Sequence, residues 1–222
     1  MSQHLFREIE KLKKMLLSLV AVVEQSVQLS ARAVEERDAQ LAEKVIEGDE
    51  EIDLAEVNIE EECLKILALH QPVAIDLRFI IAILKINNDL ERIGDLAVNI
   101  AERAVFISRM NKIEIPFDFG KMTEKVQFML KYCIDSLVNL DLKAANDVCM
   151  ADNEVDEINR NTYIQIQEKI GENPQYFDLF MHYLLICRNL ERIADHATNI
   201  AQDVIYMIQG EIVRHKKSED NH

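Results

Sequence analysis

Apolar residues recur at three- and four-residue spacing along most of the 222-residue chain, a pattern typical of helices that bury one face. Asp38 is a residue type that favours a helix start, and Pro72 is one that ends a helix. The periodicity is lost from about Arg109 to Gly120, which indicates a linker. The pattern predicts six long helices, at about Leu5–Glu36, Asp38–Ile66 (bent or interrupted at Gly48), Ile75–Ser108, Met122–Leu140, Asp141–Ile170 and Gln175–Gln209.

The polar positions of the first half recur in the second half. Six residues between Asp38 and Asp53 have identical counterparts 103 positions later, between Asp141 and Asp156. The segment LERIGDLAVNIA at 90–101 returns as LERIADHATNIA at 190–201, with nine of twelve residues identical. The sequence therefore predicts an all-α fold of two tandem, pseudo-repeated three-helix bundles, residues 1–110 and 120–210, followed by a polar tail at 211–222.

Composition narrows the function classes. Forty Asp and Glu residues against 25 Lys and Arg give a formal charge of −15, which disfavours nucleic acid as a partner and suits cations. The N-terminal MSQHLFREIE lacks the apolar run of a signal peptide, and 15–23 is too short to span a bilayer. The four cysteines have no Cys-x-x-Cys spacing, which favours buried thiols in a reducing cytoplasm. We expect a cytoplasmic protein without membrane insertion.

Acidic residues four positions apart lie on one face of a helix, where like charges repel. Such pairs occur twice in each half, and an asparagine follows the second pair four positions later. A bound cation would offset the repulsion, and oxygen ligands of this kind suit Mg, Mn, Ca or ferric iron, with zinc also possible. The candidate ligands are Asp49, Asp53, Glu91, Asp95, Asn99, Asp152, Asp156, Glu191, Asp195 and Asn199.

Two other interpretations of the carboxylates stay open. An acidic helix face can simply be solvated, which describes a metal-free helical scaffold. A carboxylate-bridged metalloenzyme of ferritin-like type would use Glu-x-x-His ligands, but that spacing occurs only at Glu219 and His222, inside the polar tail. His196 adjoins the second acidic motif but points about 100° away from Asp195 on a helix. Because no phosphate loop, nucleophile elbow or His-Glu-x-x-His motif occurs, we expect a protein that is not an enzyme.

Several segments resemble one known family in its order and over essentially the whole chain. They are the doubled LERI motif, RDAQLAEKVIEGDEEID at 37–53, QPVAIDLR at 71–78 and GEIVRH at 210–215. These segments resemble the PhoU family, regulators associated with phosphate-specific ABC transporters. The doubled Glu/Asp-x-x-x-Asp motif makes the resemblance specific.

The resemblance implies a function that spacing alone does not give. PhoU-like proteins are negative regulators of phosphate uptake and of the phosphate-starvation response, and they bind multinuclear iron or zinc clusters through the acidic motifs. The implied partners are the ATPase subunit of the phosphate ABC transporter and a phosphate-sensor histidine kinase. The implied location is the cytoplasm, with peripheral association at the inner membrane through these partners. The amphipathic helices and the resemblance to the family lead us to expect a homodimer.

Overall fold

The computed structural model describes residues 3–210, which form helices and no strand. The predicted all-α class is confirmed, and each predicted helix is present within a few residues of its expected ends. The predicted polar tail at 211–222 lies outside the described residues. The elements are α1 (Gln3–Glu36), α2 (Ala39–Glu47), α3 (Asp49–His70), α4 (Ala74–Ser108), α5 (Phe119–Asn139), α6 (Leu142–Glu172), a 3₁₀ turn (Pro174–Tyr176) and α7 (Phe177–Gln209).

Gly48 interrupts the second long helix of the first half, as the sequence predicts. It separates α2 from α3, and a Cβ atom at this position would lie 3.2 Å from the carbonyl oxygen of Lys44. Its repeat counterpart is Ala151, which lies inside the unbroken helix α6. The two halves therefore share a topology but differ in the continuity of this helix.

The same local device opens the second helix of each half. The carboxylates of Asp38 and Asp141 each accept hydrogen bonds from two backbone N–H groups of the first turn. The preceding residues, Arg37 and Leu140, adopt left-handed backbone conformations with φ of 56° and 50°. This arrangement turns the chain sharply and satisfies N–H groups that have no partner within the helix.

Helices α4 and α7 pack against each other at the centre of the molecule. Helices α1, α2 and α3 surround α4 in the first half, and α5 and α6 surround α7 in the second. One hydrophobic core runs through both halves, and in each copy of the doubled motif the leucine and the two isoleucines at equivalent positions are completely buried in it. These residues are Leu90, Ile93, Ile100, Leu190, Ile193 and Ile200. The two bundles therefore form one body that is joined along α4 and α7.

The cysteines are free thiols, and three of the four are buried. Burial raises the pKa of Cys63 and of Cys187 to about 12 in each case, and that of Cys149 to about 11. These thiols are therefore protonated at neutral pH, as expected of structural cysteines. No helix within residues 3–210 has the length and apolar character needed to cross a membrane.

Candidate metal centres

The first carboxylate cluster lies between α3 and α4. Burial raises the pKa of Asp49, and the neighbouring carboxylates of Asp53 and Asp95 raise it further. Burial also raises the pKa of Glu91, with additional contributions from Asp95 and from Asp53 across the helix pair. Because these groups influence one another between helices, the fold brings the two acidic pairs of this half together, as the sequence predicts.

The second cluster lies between α6 and α7 and is more strongly perturbed. Burial and the carboxylates of Asp195 and Asp156 raise the pKa of Asp152 from 3.8 to about 6, against a smaller lowering by the Thr198 hydroxyl. Burial likewise raises the pKa of Glu191, with Asp195, Asp156 and Asp152 contributing. Negative charge is therefore concentrated on the facing sides of α6 and α7.

One oxygen in each cluster is buried and has no hydrogen-bond partner. The atoms are Oδ1 of Asp49 and Oδ1 of Asp152, which occupy equivalent positions in the two repeats. A buried carboxylate oxygen without a partner costs stability, on the order of 1–3 kcal/mol or more for a charged group. A hard cation in each cluster would supply the missing partner of its buried oxygen, and the surrounding oxygen donors fit such an ion.

Close packing of the helix pair supports the first cluster. A Cβ atom built on Gly94 would lie 3.0 Å from Cδ1 of Ile52, so glycine is what allows α4 to approach α3 here. Gly94 precedes Asp95, and Ile52 precedes Asp53. The second half has Ala194 and Val155 at the equivalent positions, a larger residue opposite a smaller one.

The clusters are open sets of carboxylates. Within residues 3–210, no group of three or more His, Cys, Asp or Glu side chains converges closely enough to hold a single metal ion. In the first half, Arg92 attracts two of the candidate ligands, with 3.4 Å to Glu91 and 3.3 Å to Asp95. The structure thus brings the carboxylates to shared surfaces, and their role as metal ligands remains a prediction.

The two candidate asparagines lie in different environments. Asn99 is exposed on α4. The side-chain nitrogen of Asn199 lies 3.4 Å from Oδ1 of Asp89, to which it donates across the α4–α7 contact. Asn199 therefore places its amide nitrogen against the other half of the molecule. The ligand role of both asparagines also stays a prediction.

A buried polar group between α4 and α7 escaped the sequence reasoning. The carboxylate of Asp89 accepts a hydrogen bond from Nδ1 of His196 at 2.8 Å, and Asp89 is only 7% exposed. His196 points away from the Asp195 side of α7, as the helical geometry predicts. The repeat offered a signal, because the counterparts of Asp89 and His196 are Asn189 and Leu96, so this pair exists in one register only.

Comparison with known proteins identifies relatives over the whole length of the chain. A family model described as the PhoU domain matches twice, at residues 16–104 and 119–204. The phosphate-specific transport system accessory protein PhoU homolog of Aquifex aeolicus is 38% identical over 212 residues, which is 96% of each chain. PhoU homolog 1 of Thermotoga maritima is 35% identical and aligns with 93% of this chain and 90% of its own.

Solved structures show the same fold. The crystal structure of PhoU from Pseudomonas aeruginosa superimposes with a TM-score of 0.89 at 36% identity, covering 92% of this chain and 99% of that one. The phosphate transport system regulatory protein PhoU from Streptococcus pneumoniae gives a TM-score of 0.83 at 27% identity, covering 94% and 99%. The chain therefore belongs to the PhoU family, as shown by the doubled family match, the full-length relatives and these structures.

Proposed function

We propose that this protein is a non-enzymatic accessory regulator of phosphate transport. It restrains phosphate uptake and the phosphate-starvation response by binding the ATPase subunit of a phosphate ABC transporter and a phosphate-sensor histidine kinase. The names of its relatives, which describe accessory and regulatory proteins of phosphate transport, support this role. It acts in the cytoplasm, reaches the inner membrane through these partners and functions as a homodimer.

Two metal centres are part of the proposal, one in each half. Asp49, Asp53, Glu91 and Asp95 hold the first, and their counterparts Asp152, Asp156, Glu191 and Asp195 hold the second. The ions are iron or zinc, with Mg, Mn or Ca as alternatives of similar ligand chemistry. Bound cations neutralise the carboxylates and link α3 to α4 and α6 to α7, which gives the regulator two rigid helix pairs.

The repeated orphan oxygen carries the metal proposal. Oδ1 of Asp49 and Oδ1 of Asp152 are both buried without a partner, although much of the surrounding sequence differs between the halves. A solvated acidic face would expose these atoms to water instead. The same uncompensated oxygen at the same place in both repeats supports a ligand common to both halves.

Metal analysis of protein purified without a histidine tag tests this centre. We expect the wild type to retain iron or zinc, measured by element-resolved mass spectrometry, and the Asp95→Asn/Asp195→Asn variant to lose most of it. Asp135→Asn removes an exposed carboxylate outside both clusters and should leave the metal content unchanged. Equal metal content in all three proteins would refute the assignment and favour the metal-free scaffold.

The regulatory role is tested separately with the partners. Pull-downs with the transporter ATPase subunit and the sensor kinase, at high and low phosphate, should recover this protein. Absence of association at every phosphate concentration would refute the docking proposal. This result would not affect the metal analysis, because that measurement uses the isolated protein.

A further inference from the structure

A groove of about 810 Å³ runs between α6 and α7 beside the second carboxylate cluster. Its volume lies within the range of small-molecule binding sites. One part is lined by Asp156, Glu191 and Asp195, and other parts by arginines and by apolar side chains. The residues that matter below are Arg160, Arg188, Arg192, Tyr163, Ile164, Leu184 and Leu185.

The three arginines of this groove form no salt bridge within 4 Å with any side chain of residues 3–210, although Arg188 and Arg192 partly offset the rise that burial causes in the pKa of the nearby Glu191 and Asp195. Arg160 lies one turn after Asp156 on α6, and Arg188 and Arg192 are four residues apart on α7. All three are exposed. In the first half, by contrast, Arg92 forms ion pairs within its own cluster. The second half therefore presents three guanidinium groups whose hydrogen-bonding capacity is unused by other charged side chains.

The arginine set is particular to the second half. The repeat counterparts of Arg160 and Arg188 are Val57 and Asn88, so only Arg192 has an arginine counterpart. Both halves retain their acidic pairs. Arg188 and Arg192 partly offset the raised pKa of Glu191 and of Asp195, so they act on the carboxylates as well as on the groove. The first half keeps its acidic pairs without counterparts of Arg160 and Arg188, so the carboxylates alone do not account for these two arginines.

Guanidinium groups bind oxyanions by donating pairs of N–H hydrogen bonds, and both carboxylates and phosphoryl groups accept such pairs. A carboxylate offers two oxygens, whereas a phosphoryl group offers three or more and carries up to two charges at neutral pH. Three arginines that line one groove therefore fit a phosphoryl group better than a carboxylate. The nearby acidic cluster opposes anions unless cations neutralise it.

We propose that the α6–α7 groove binds a phosphoryl oxyanion through Arg160, Arg188 and Arg192 when the neighbouring carboxylate cluster holds cations. The inference depends on the proposed metal centre of the second half, because cations there must neutralise the carboxylates before an anion can bind beside them. Two sources offer the same chemistry: free inorganic phosphate, or a phosphoryl group attached to a larger body. Tyr163, Ile164, Leu184 and Leu185 extend the groove with apolar surface, which would contact such a body.

Isothermal titration calorimetry with two probes tests the inference. Inorganic phosphate and phenyl phosphate are titrated into protein loaded with zinc and freed of excess metal, and into chelator-treated protein. We expect binding in the loaded protein and at least tenfold weaker binding after chelation. Tighter binding of phenyl phosphate identifies a phosphoryl group on a larger body, and equal binding of the two identifies free phosphate.

Arginine variants localise the site. Arg188→Gln and Arg192→Gln should each weaken binding by about tenfold or more, since a charge-assisted hydrogen bond is removed in each case. The control is Arg7→Gln, an exposed arginine on α1 that lies outside both carboxylate clusters and on a helix that does not contact α6 or α7, and it should bind as the wild type does. All four proteins should retain equal zinc, measured on the same samples, and equal thermal stability.

The outcomes separate this inference from the metal proposal. Wild-type protein that holds zinc but binds neither probe overturns the inference and leaves the metal centre standing. Binding that is as strong in Arg188→Gln and Arg192→Gln as in the wild type also overturns it. Wild-type protein that holds no zinc and binds neither probe refutes both proposals.

Discussion

Asp152 shows how burial and like charge act on a single side chain. Its pKa is raised from 3.8 to about 6 by burial and by the carboxylates of Asp195 and Asp156. The folded protein therefore binds the proton of Asp152 more tightly than the unfolded chain does. As pH rises from about 4 to about 6, the unfolded chain loses this proton first, so the ionised group destabilises the fold increasingly over this interval and fully above it.

Asp152→Asn should accordingly stabilise the metal-free protein. The expected gain is about 2 kcal/mol in the free energy of unfolding above pH 7, and it should vanish below about pH 4, where the carboxyl is neutral in both states. Urea titrations in the presence of a chelator measure it across pH. Asp135→Asn, at an exposed position, should give no such gain. A stability loss in Asp152→Asn at neutral pH would contradict the explanation.

At this scale the sequence predicts pairs on one helix but not contacts between distant helices. The spacing of Asp49 with Asp53 is sufficient to place them on one face, because helical geometry is local. Asn199 shares that spacing with Asp195, yet its amide nitrogen donates to Asp89, which is 110 residues away. Such a partner depends on how α4 and α7 are packed, which the local pattern does not contain.

Among the helical elements, the contact of α3 with α4 depends on a matched pair of side-chain sizes. Gly94→Ala should destabilise the protein by about 1 kcal/mol, because overpacking against Ile52 outweighs the helix propensity gained. Combining it with Ile52→Val reproduces the Ala194 and Val155 pair of the second half. The stability lost in the double variant should be about 1 kcal/mol smaller than the sum of the losses in the two single variants.

A denaturation series over the four proteins of this cycle measures the coupling. The control is Gly171→Ala, where no heavy atom lies within 4 Å of the added Cβ atom. This variant should be stabilised by about 0.5–1 kcal/mol, since only helix propensity changes. Strict additivity of Gly94→Ala and Ile52→Val would show that the two side chains do not compete for the same space.

The caps of α2 and α6 give a second prediction for the elements. Asp141→Ala removes the acceptor for two N–H groups of the first turn of α6 and should cost about 1 kcal/mol of stability. Asp141→Asn keeps a side-chain oxygen at the same place and should cost little. Chemical denaturation distinguishes them. Equal losses in both variants would indicate that charge, rather than the hydrogen bonds, is what matters.

Helix ends were accessible from the sequence because their signals are local. Asp141 begins α6 and Pro72 follows the end of α3, as a good N-cap and a helix-terminating residue predict. The broken helix at Gly48 was also predictable, since glycine has a low helix propensity. The absence of a break at Ala151 follows from the same rule. Boundaries shifted by a few residues where turns such as Pro174–Tyr176 add a short 3₁₀ element.

For the whole molecule, one core through both halves implies cooperative unfolding. Calorimetry of the metal-free protein should show a single transition whose calorimetric and van't Hoff enthalpies agree. Asp89→Ala removes the acceptor of His196 at the α4–α7 contact, and should cost about 2 kcal/mol and lower the midpoint by roughly 4–8 °C without splitting the transition.

Glu102→Ala, at an exposed position on α4, provides the control and should leave the midpoint nearly unchanged. Two resolved transitions in the wild type would show that the halves are energetically independent. The duplication alone suggested two bundles in series, because a repeated pattern does not reveal which apolar faces meet. The shared core between α4 and α7 is therefore what the structure adds to the sequence.

Helices α4 and α7 each contact both a carboxylate cluster and the other central helix, and this has a mechanical consequence. One side of each helix lies at a carboxylate cluster, and another side packs against the other central helix. Each helix has a continuous backbone of more than 30 residues that joins these two contacts. Because the two helices pack against each other, we expect a displacement of α4 at Glu91 to shift α7 as well. We therefore expect a change at one carboxylate cluster to affect the other through the packed helix pair, without the rearrangement of a loop.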